Sequence, residues 1–166
     1  MAIEKFETFL SLMEKNWPEA YQGLAPAIPC IDKIQSINEI RRSRLMADYS
    51  LQHSDFDLLT ALRRSPEPYL LTPTQLLDHM LISSGGLSKA LCRLEAKGMI
   101  SRRPSKEDGR VSSVQLTAKG KTIIEEIVVK VQKNHKILKT TFSAQEQAQL
   151  NTLLAKLLDE MIKNPD

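Results

Sequence analysis

Cysteine is almost missing. Cys30 and Cys92 are far apart and in no CxxC pairing, which excludes a disulfide framework and suggests no zinc site. Both are expected as reduced thiols. His53, His79 and His135 are scattered without metal-ligand spacing and are expected as ordinary surface or cap residues. There is no nucleophile elbow, phosphate loop, metal cluster or helix-borne acid pair, so no enzyme is expected, and neither a cofactor nor a metal. No apolar run approaches the roughly 18 residues that a spanning helix needs, and Met1-Ala2-Ile3-Glu4-Lys5 lacks the basic-then-apolar order of an export signal. A cytoplasmic protein without a membrane partner is therefore expected. Internal repeats and low-complexity tracts are absent as well.

What is present is enough apolar material, 42% of 166 residues, for one packed unit, in a chain too short for two full-sized ones. The net charge of +3 is unevenly placed. From Ser83 to Arg110, seven bases (Lys89, Arg93, Lys97, Arg102, Arg103, Lys106 and Arg110) face three acids, a net +4 that leaves −1 for everything else. A local basic stripe on a balanced chain fits a polyanionic partner, although a single such stretch also fits a solvated face.

Phe6, Phe9, Leu10 and Met13 predict a helix from Ile3 to about Lys15, closed by Trp17-Pro18. Pro18, Gly23, Pro26 and Pro29 then predict an irregular arm. A second helix is expected from about Ile31 to Tyr49, with Ile34, Ile37, Ile40 and Leu45 toward a core. Ser54 with Asp57 resembles a capping box opening Phe56, Leu59 and Leu62, and Pro66 and Pro68 close that segment. Thr72-Pro73-Thr74-Gln75 is a stronger box, with proline at the first helical position and Leu76, Leu77 and Met80 inward. Ser83 or Ser84 caps a further helix carrying Leu87, Leu91 and Leu94, which Gly98 ends. Ile100, Val114 and Leu116 then suit short strands joined across Asp108-Gly109, a hairpin turn signal. From Ala118 the helical period returns through Ile123, Ile124, Ile127, Val128, Val131, Leu138 and Phe142, and Ser143 with Glu146 caps a last helix.

Three short helices followed by a basic hairpin is the winged helix-turn-helix plan, here between Ser54 and Leu116. The helix near Thr72 to Met80 would brace the next one so that its polar N-terminal face enters a major groove. On that face Ser83, Ser84, Ser88 and Lys89 offer donors to base edges and phosphates. Gly85 and Gly86 are poor helix residues whose use is close approach to DNA. For Lys89 and Arg93 the alternative is a solvated face; the wing that follows at the right spacing favours DNA contact. Arg102 and Arg103 point to opposite faces of a strand and would meet phosphate or pair with wing acids. Arg110, at the tip of the ribbon beside Asp108 and Gly109, has no core to join, so its purpose is external.

The run SSGGLSKALCRLEAKGMISRRPSKEDGRVSSVQLTAKGK resembles the multiple-antibiotic-resistance regulator (MarR) family. Leu94-Glu95-x-Lys97-Gly98, Arg102-Arg103, Asp108-x-Arg110 and Leu116-Thr117-x-x-Gly120 all fall at the family's spacing, and Trp17-Pro18-Glu19 is similar to one branch of it. The resemblance implies a mainly α winged helix-turn-helix protein with a two-stranded β wing, divided into an N-terminal helix and arm (1–30), a linking or dimerisation helix (31–53), the DNA-binding region (54–116) and C-terminal dimerisation helices (117–166). It implies a homodimeric regulator, more often a repressor, on duplex operator DNA with two half-sites. Ser83, Ser84, Ser88 and Lys89 would contact the major groove, with Arg93, Arg103 and Lys106 nearby, and Arg110 would enter the minor groove while Asp108 and Gly109 shape the wing. Tyr49 and His53 lie where relatives bind small aromatic acids and form a candidate effector pocket. Some relatives sense oxidants with a cysteine in the helix that holds Cys30, which makes an oxidant sensor the first alternative. A winged-helix protein-interaction module without DNA binding is a remoter one. The chain departs from the family in having Gly109 where a wing arginine is common and Cys92 where an acid is common.

Overall fold

The computed structural model describes residues 4–80, 82–104 and 112–164. The chain forms two compact units, residues 1–53 and 54–166.

The first unit is helical. α1 (Phe6–Asn16) stacks Phe6 on Phe9 with ring centroids 6.0 Å apart. The stretch after it is not the irregular arm expected from its prolines. Pro18 opens a short α2 (Pro18–Gln22), and α3 (Ala27–Asp48) begins four residues earlier than expected, with Pro29 inside its first turn. Proline lacks only an N–H that has no intrahelical partner at those positions, so it starts helices there as readily as it ends them elsewhere. α3 also differs from expectation in its faces. Ile34 and Ile40 are exposed and Met46 is its buried residue.

In the second unit, α4 (His53–Arg64) buries Leu58, Leu59 and Leu62 completely. It starts one residue before Ser54, which therefore lies inside the helix rather than at its cap. α5 (Pro73–His79) has the expected capping box, in which Gln75 N donates to Thr72 Oγ1 at 3.2 Å and Thr72 N to Gln75 Oε1 at 2.9 Å. α6 (Ser84–Ala96) is capped by Ser83, whose Oγ accepts from Gly86 N at 3.2 Å. Just past its end Gly98 takes φ +67°, the left-handed conformation that glycine adopts without a Cβ penalty.

Among the described residues the sheet has three antiparallel strands, the expected wing pair and a short third strand beside it. β1 (Leu70–Leu71) pairs with β3 (Ser112–Leu116), which pairs in turn with β2 (Ile100–Pro104). Two residues are too few for alternation to show, so β1 left no periodic trace; its register sets buried Leu71 opposite buried Val114. The core joins α4, Leu76 of α5, Leu87, Ala90, Leu91 and Leu94 of α6, Val114 and Leu116 of β3, and Ile124 and Ile127 of α7 (Ala118–Asn134). Each fully buried large aliphatic contributes about 1.5–3 kcal/mol relative to exposure.

A single residue, Thr117, joins β3 to α7. Its Oγ1 accepts from Gly120 N at 3.1 Å and donates to Gly98 O at 2.8 Å, and its N–H donates to Met99 O at 3.1 Å. A Cβ built on Gly120 would overlap the Met99 carbonyl, so only glycine lets α7 approach this closely. These contacts give the Gly98 and Leu116-Thr117-x-x-Gly120 motifs their physical basis.

The helical stretch beyond α7 is interrupted at His135 and continues as α8 (Lys136–Thr141). α9 (Ala144–Lys163) has the expected Ser143–Glu146 box. The Ser143 hydroxyl, and then its backbone N–H, hold the Glu146 carboxyl below the usual range. No residue of α9 is buried. No helix among the described residues is long and apolar enough to cross a membrane.

Candidate nucleic-acid interface

Burial of Leu87, Ala90, Leu91 and Leu94 fixes the rotation of α6 and leaves Ser84, Gly85, Ser88, Lys89 and Cys92 exposed. The side chains of Ser84, Ser88 and Lys89 have no hydrogen-bond or ion-pair partner among the described residues. Ser83 is also exposed, but its oxygen is occupied at the helix cap. A Cβ on Gly85 would meet nothing within 4 Å, so the interior of the protein does not demand glycine there. At Gly86 a Cβ would meet Ser83 Oγ at 3.4 Å, an ordinary contact.

Arg93, expected among the DNA-facing cations, turns inward. Its Nη2 lies 2.7 Å from Asp55 Oδ1 and donates to Ser54 Oγ at 3.0 Å, while its Nε donates to Asp55 Oδ1 at 3.1 Å. Asp55 is fully buried, and a buried carboxylate requires such a forked partner. The pair ties α6 to the first turn of α4, 38 residues back in the chain. Asp55 was not legible as a site residue, because nothing local marks a partner so distant.

On β2 the alternation separates Arg102 from Arg103 as expected. Arg102 returns to α6, its Nε 3.0 Å from Glu95 Oε2 and its Nη2 3.7 Å from Cys92 Sγ. Arg103, opposite Ser113, is exposed. Lys106, Asp108, Gly109 and Arg110 lie outside the described residues.

Tyr49 closes α3 and His53 opens α4. The Nδ1 of His53 is buried and lacks a hydrogen-bond partner among the described residues. Cys30 sits half-buried in the first turns of α3.

A further cluster surrounds Tyr69, which precedes β1 and takes φ +59°. Arg63 of α4 and Lys121 of α7 both lie over its ring, at 5.0 and 5.1 Å from the centroid. Sequence reasoning missed it. Pro66 and Pro68 mark a loop there, and no local pattern joins that loop to α7.

The sequence model of the MarR family matches residues 49–111. The transcriptional regulator PecS of Dickeya dadantii (strain 3937) is 28% identical over 137 residues, 82% of this chain and 82% of PecS. The multiple antibiotic resistance protein MarR of Escherichia coli (strain K12) is 31% identical over 136 residues, 79% of this chain and 92% of that protein. The crystal structure of a mutant of that MarR complexed with operator DNA matches with a TM-score of 0.68 at 26% identity, covering 89% of this chain and 98% of the other. With its fold shared and nearly the whole length of the Escherichia coli protein matched, the chain belongs to the MarR family.

Proposed function

We propose that this protein is a homodimeric transcription regulator that binds duplex operator DNA, one α6 to each major-groove half-site, and represses by occupying a promoter. It would act in the cytoplasm by binding rather than by catalysis. The observation that carries the reading is the exposed face of α6, with Ser84, Ser88 and Lys89 unpartnered among the described residues and Gly85 open, on a helix whose other side is locked into the core. Arg103 and the wing residues Lys106 and Arg110 would add phosphate and minor-groove contacts, with Asp108 and Gly109 shaping the tip. In this division of labour residues 54–116 meet DNA, while 1–53 and 117–166 serve dimer formation.

Selection from a randomised duplex pool, followed by gel-shift titration, tests it. The wild type should enrich a sequence with two half-sites. Lys89→Ala should weaken binding to all sequences, and Ser88→Ala should blur the preference among them. Arg110→Ala should cost about 1–3 kcal/mol in binding, with a shallower salt dependence and an unchanged melting temperature. No enrichment by the wild type would favour the protein-interaction alternative. A small aromatic acid is the proposed effector, with Tyr49 and the His53 Nδ1, which has no hydrogen-bond partner among the described residues, as its polar contacts. A panel of phenolic acids that changes neither melting temperature nor operator affinity would remove that part of the reading.

A further inference from the structure

Tyr69 occupies a backbone conformation that favours glycine, so local preference argues against a large side chain there. What the side chain does is join elements that the chain keeps apart. Its ring takes the Arg63 guanidinium from the end of α4 and the Lys121 ammonium from the first turn of α7. Its hydroxyl donates to Glu67 Oε1 at 2.7 Å and accepts from Lys121 Nζ at 3.4 Å. Arg63 Nε in turn donates to Glu125 Oε1 at 2.7 Å, one turn further along α7. That ion pair is half-exposed and would contribute little alone. On the backbone side, Leu116 N of β3 donates to Tyr69 O at 3.1 Å, and Gln115 Nε2 to Pro68 O at 3.1 Å. The cluster therefore spans the Thr117 junction, where the sheet passes into α7 with no loop between.

We infer that Tyr69 is a positioning residue that fixes the angle between the wing sheet and α7, and so sets the half-site separation at which two wings of a dimer meet DNA. The inference rests on the DNA-binding dimer proposed above. If α7 leads into the dimerising helices, a change of angle at its root displaces each wing relative to the dyad. Operators are read at a fixed helical spacing, which makes that displacement measurable.

The test uses the duplex enriched by the wild type and derivatives with single base pairs inserted or removed at the dyad centre. The ratio of affinities between the best and the shifted duplexes is the readout, because a uniform loss of folded protein does not move it. Tyr69→Gly suits the backbone and removes the ring; it should lower that ratio about tenfold while retaining the dimer and the melting temperature. Tyr69→Phe keeps the ring between its cations and should retain most of the discrimination. A wild-type ratio in Tyr69→Gly overturns the inference. Should that variant not fold, Lys121→Met leaves the Tyr69 backbone alone and carries the same expectation and the same refutation. A wild type that enriches no duplex at all refutes the DNA-binding reading itself, and this inference with it.

Discussion

Two glycines of this chain answer to different constraints. At Gly120 a Cβ would overlap the Met99 carbonyl, so α7 must shift and the Thr117 bonds with it. Gly120→Ala should cost about 1–3 kcal/mol in chemical denaturation, the range for overpacking. At Gly85 a Cβ meets nothing. Gly85→Ala should stabilise the folded protein by up to about 1 kcal/mol and yet weaken operator binding, if the space it fills is where DNA approaches. A Gly85→Ala variant with unchanged operator affinity would show that the glycine has another origin. Asp55 and Arg93 form the third residue-scale case. Removing the arginine takes the counter-charge away from a buried carboxylate, so Arg93→Leu should cost about 3–5 kcal/mol. Asp55→Asn in the same chain should recover part of that cost, a coupling visible in a double-mutant cycle.

At the scale of elements, the sequence was most legible where a cap or a turn carries its own chemistry. Thr72-Pro73-Thr74-Gln75, Ser83, Gly98 and Ser143–Glu146 each specify an end within four residues, and each stands where its pattern placed it. The exposed face of α6 was legible for a related reason, since the spacing of Leu87, Leu91 and Leu94 determines which side remains for solvent or a ligand. Illegible were features made by distant partners: β1 against β3, Arg93 against Asp55, and Tyr69 against Lys121. Prolines misled because their effect depends on position within a helix, which composition does not give. The cap of α9 makes a pH prediction. Glu146 is held below the usual carboxylate range, so its contribution to the helix is present above the unfolded pKa and is lost as pH falls through the lowered one. First-turn amides of α9 should therefore lose hydrogen-exchange protection in acid, after correction for intrinsic rates. Glu146→Gln, which can still accept from the Ser143 backbone, should show no such titration. Equal pH dependence in both proteins would mean that the box does not control the end of α9.

For the molecule as a whole, the outstanding feature is apolar surface that the described residues leave uncovered. On α9 Leu153, Leu154, Leu158, Met161 and Ile162 are exposed, as are Ile137 and Leu138 of α8 and Phe142 just past its end. Ile127 of α7 is not part of this surface but of the core of its own unit. A second copy is the proposed cover, because five exposed large apolar side chains on one helix with no buried residue mark an interaction surface. Sedimentation at micromolar concentration should show a dimer. Truncation after Phe142 should give a monomer with operator affinity lower by about a hundredfold or more, as the linked second half-site is lost. A stable full-length monomer would contradict the proposal. The same bare α9 bears on how the cell sets the amount of regulator. On the proposed dimer, a newly made subunit without a mate would expose Leu153 and Ile162 to chaperones and proteases, and so would have a short life. Unpaired chains would then be cleared instead of accumulating in reserve. Promoter occupancy would follow the rate of synthesis more steeply than simple pairing allows, and a pulse-chase at low expression should show the half-life of the protein rising with its own abundance.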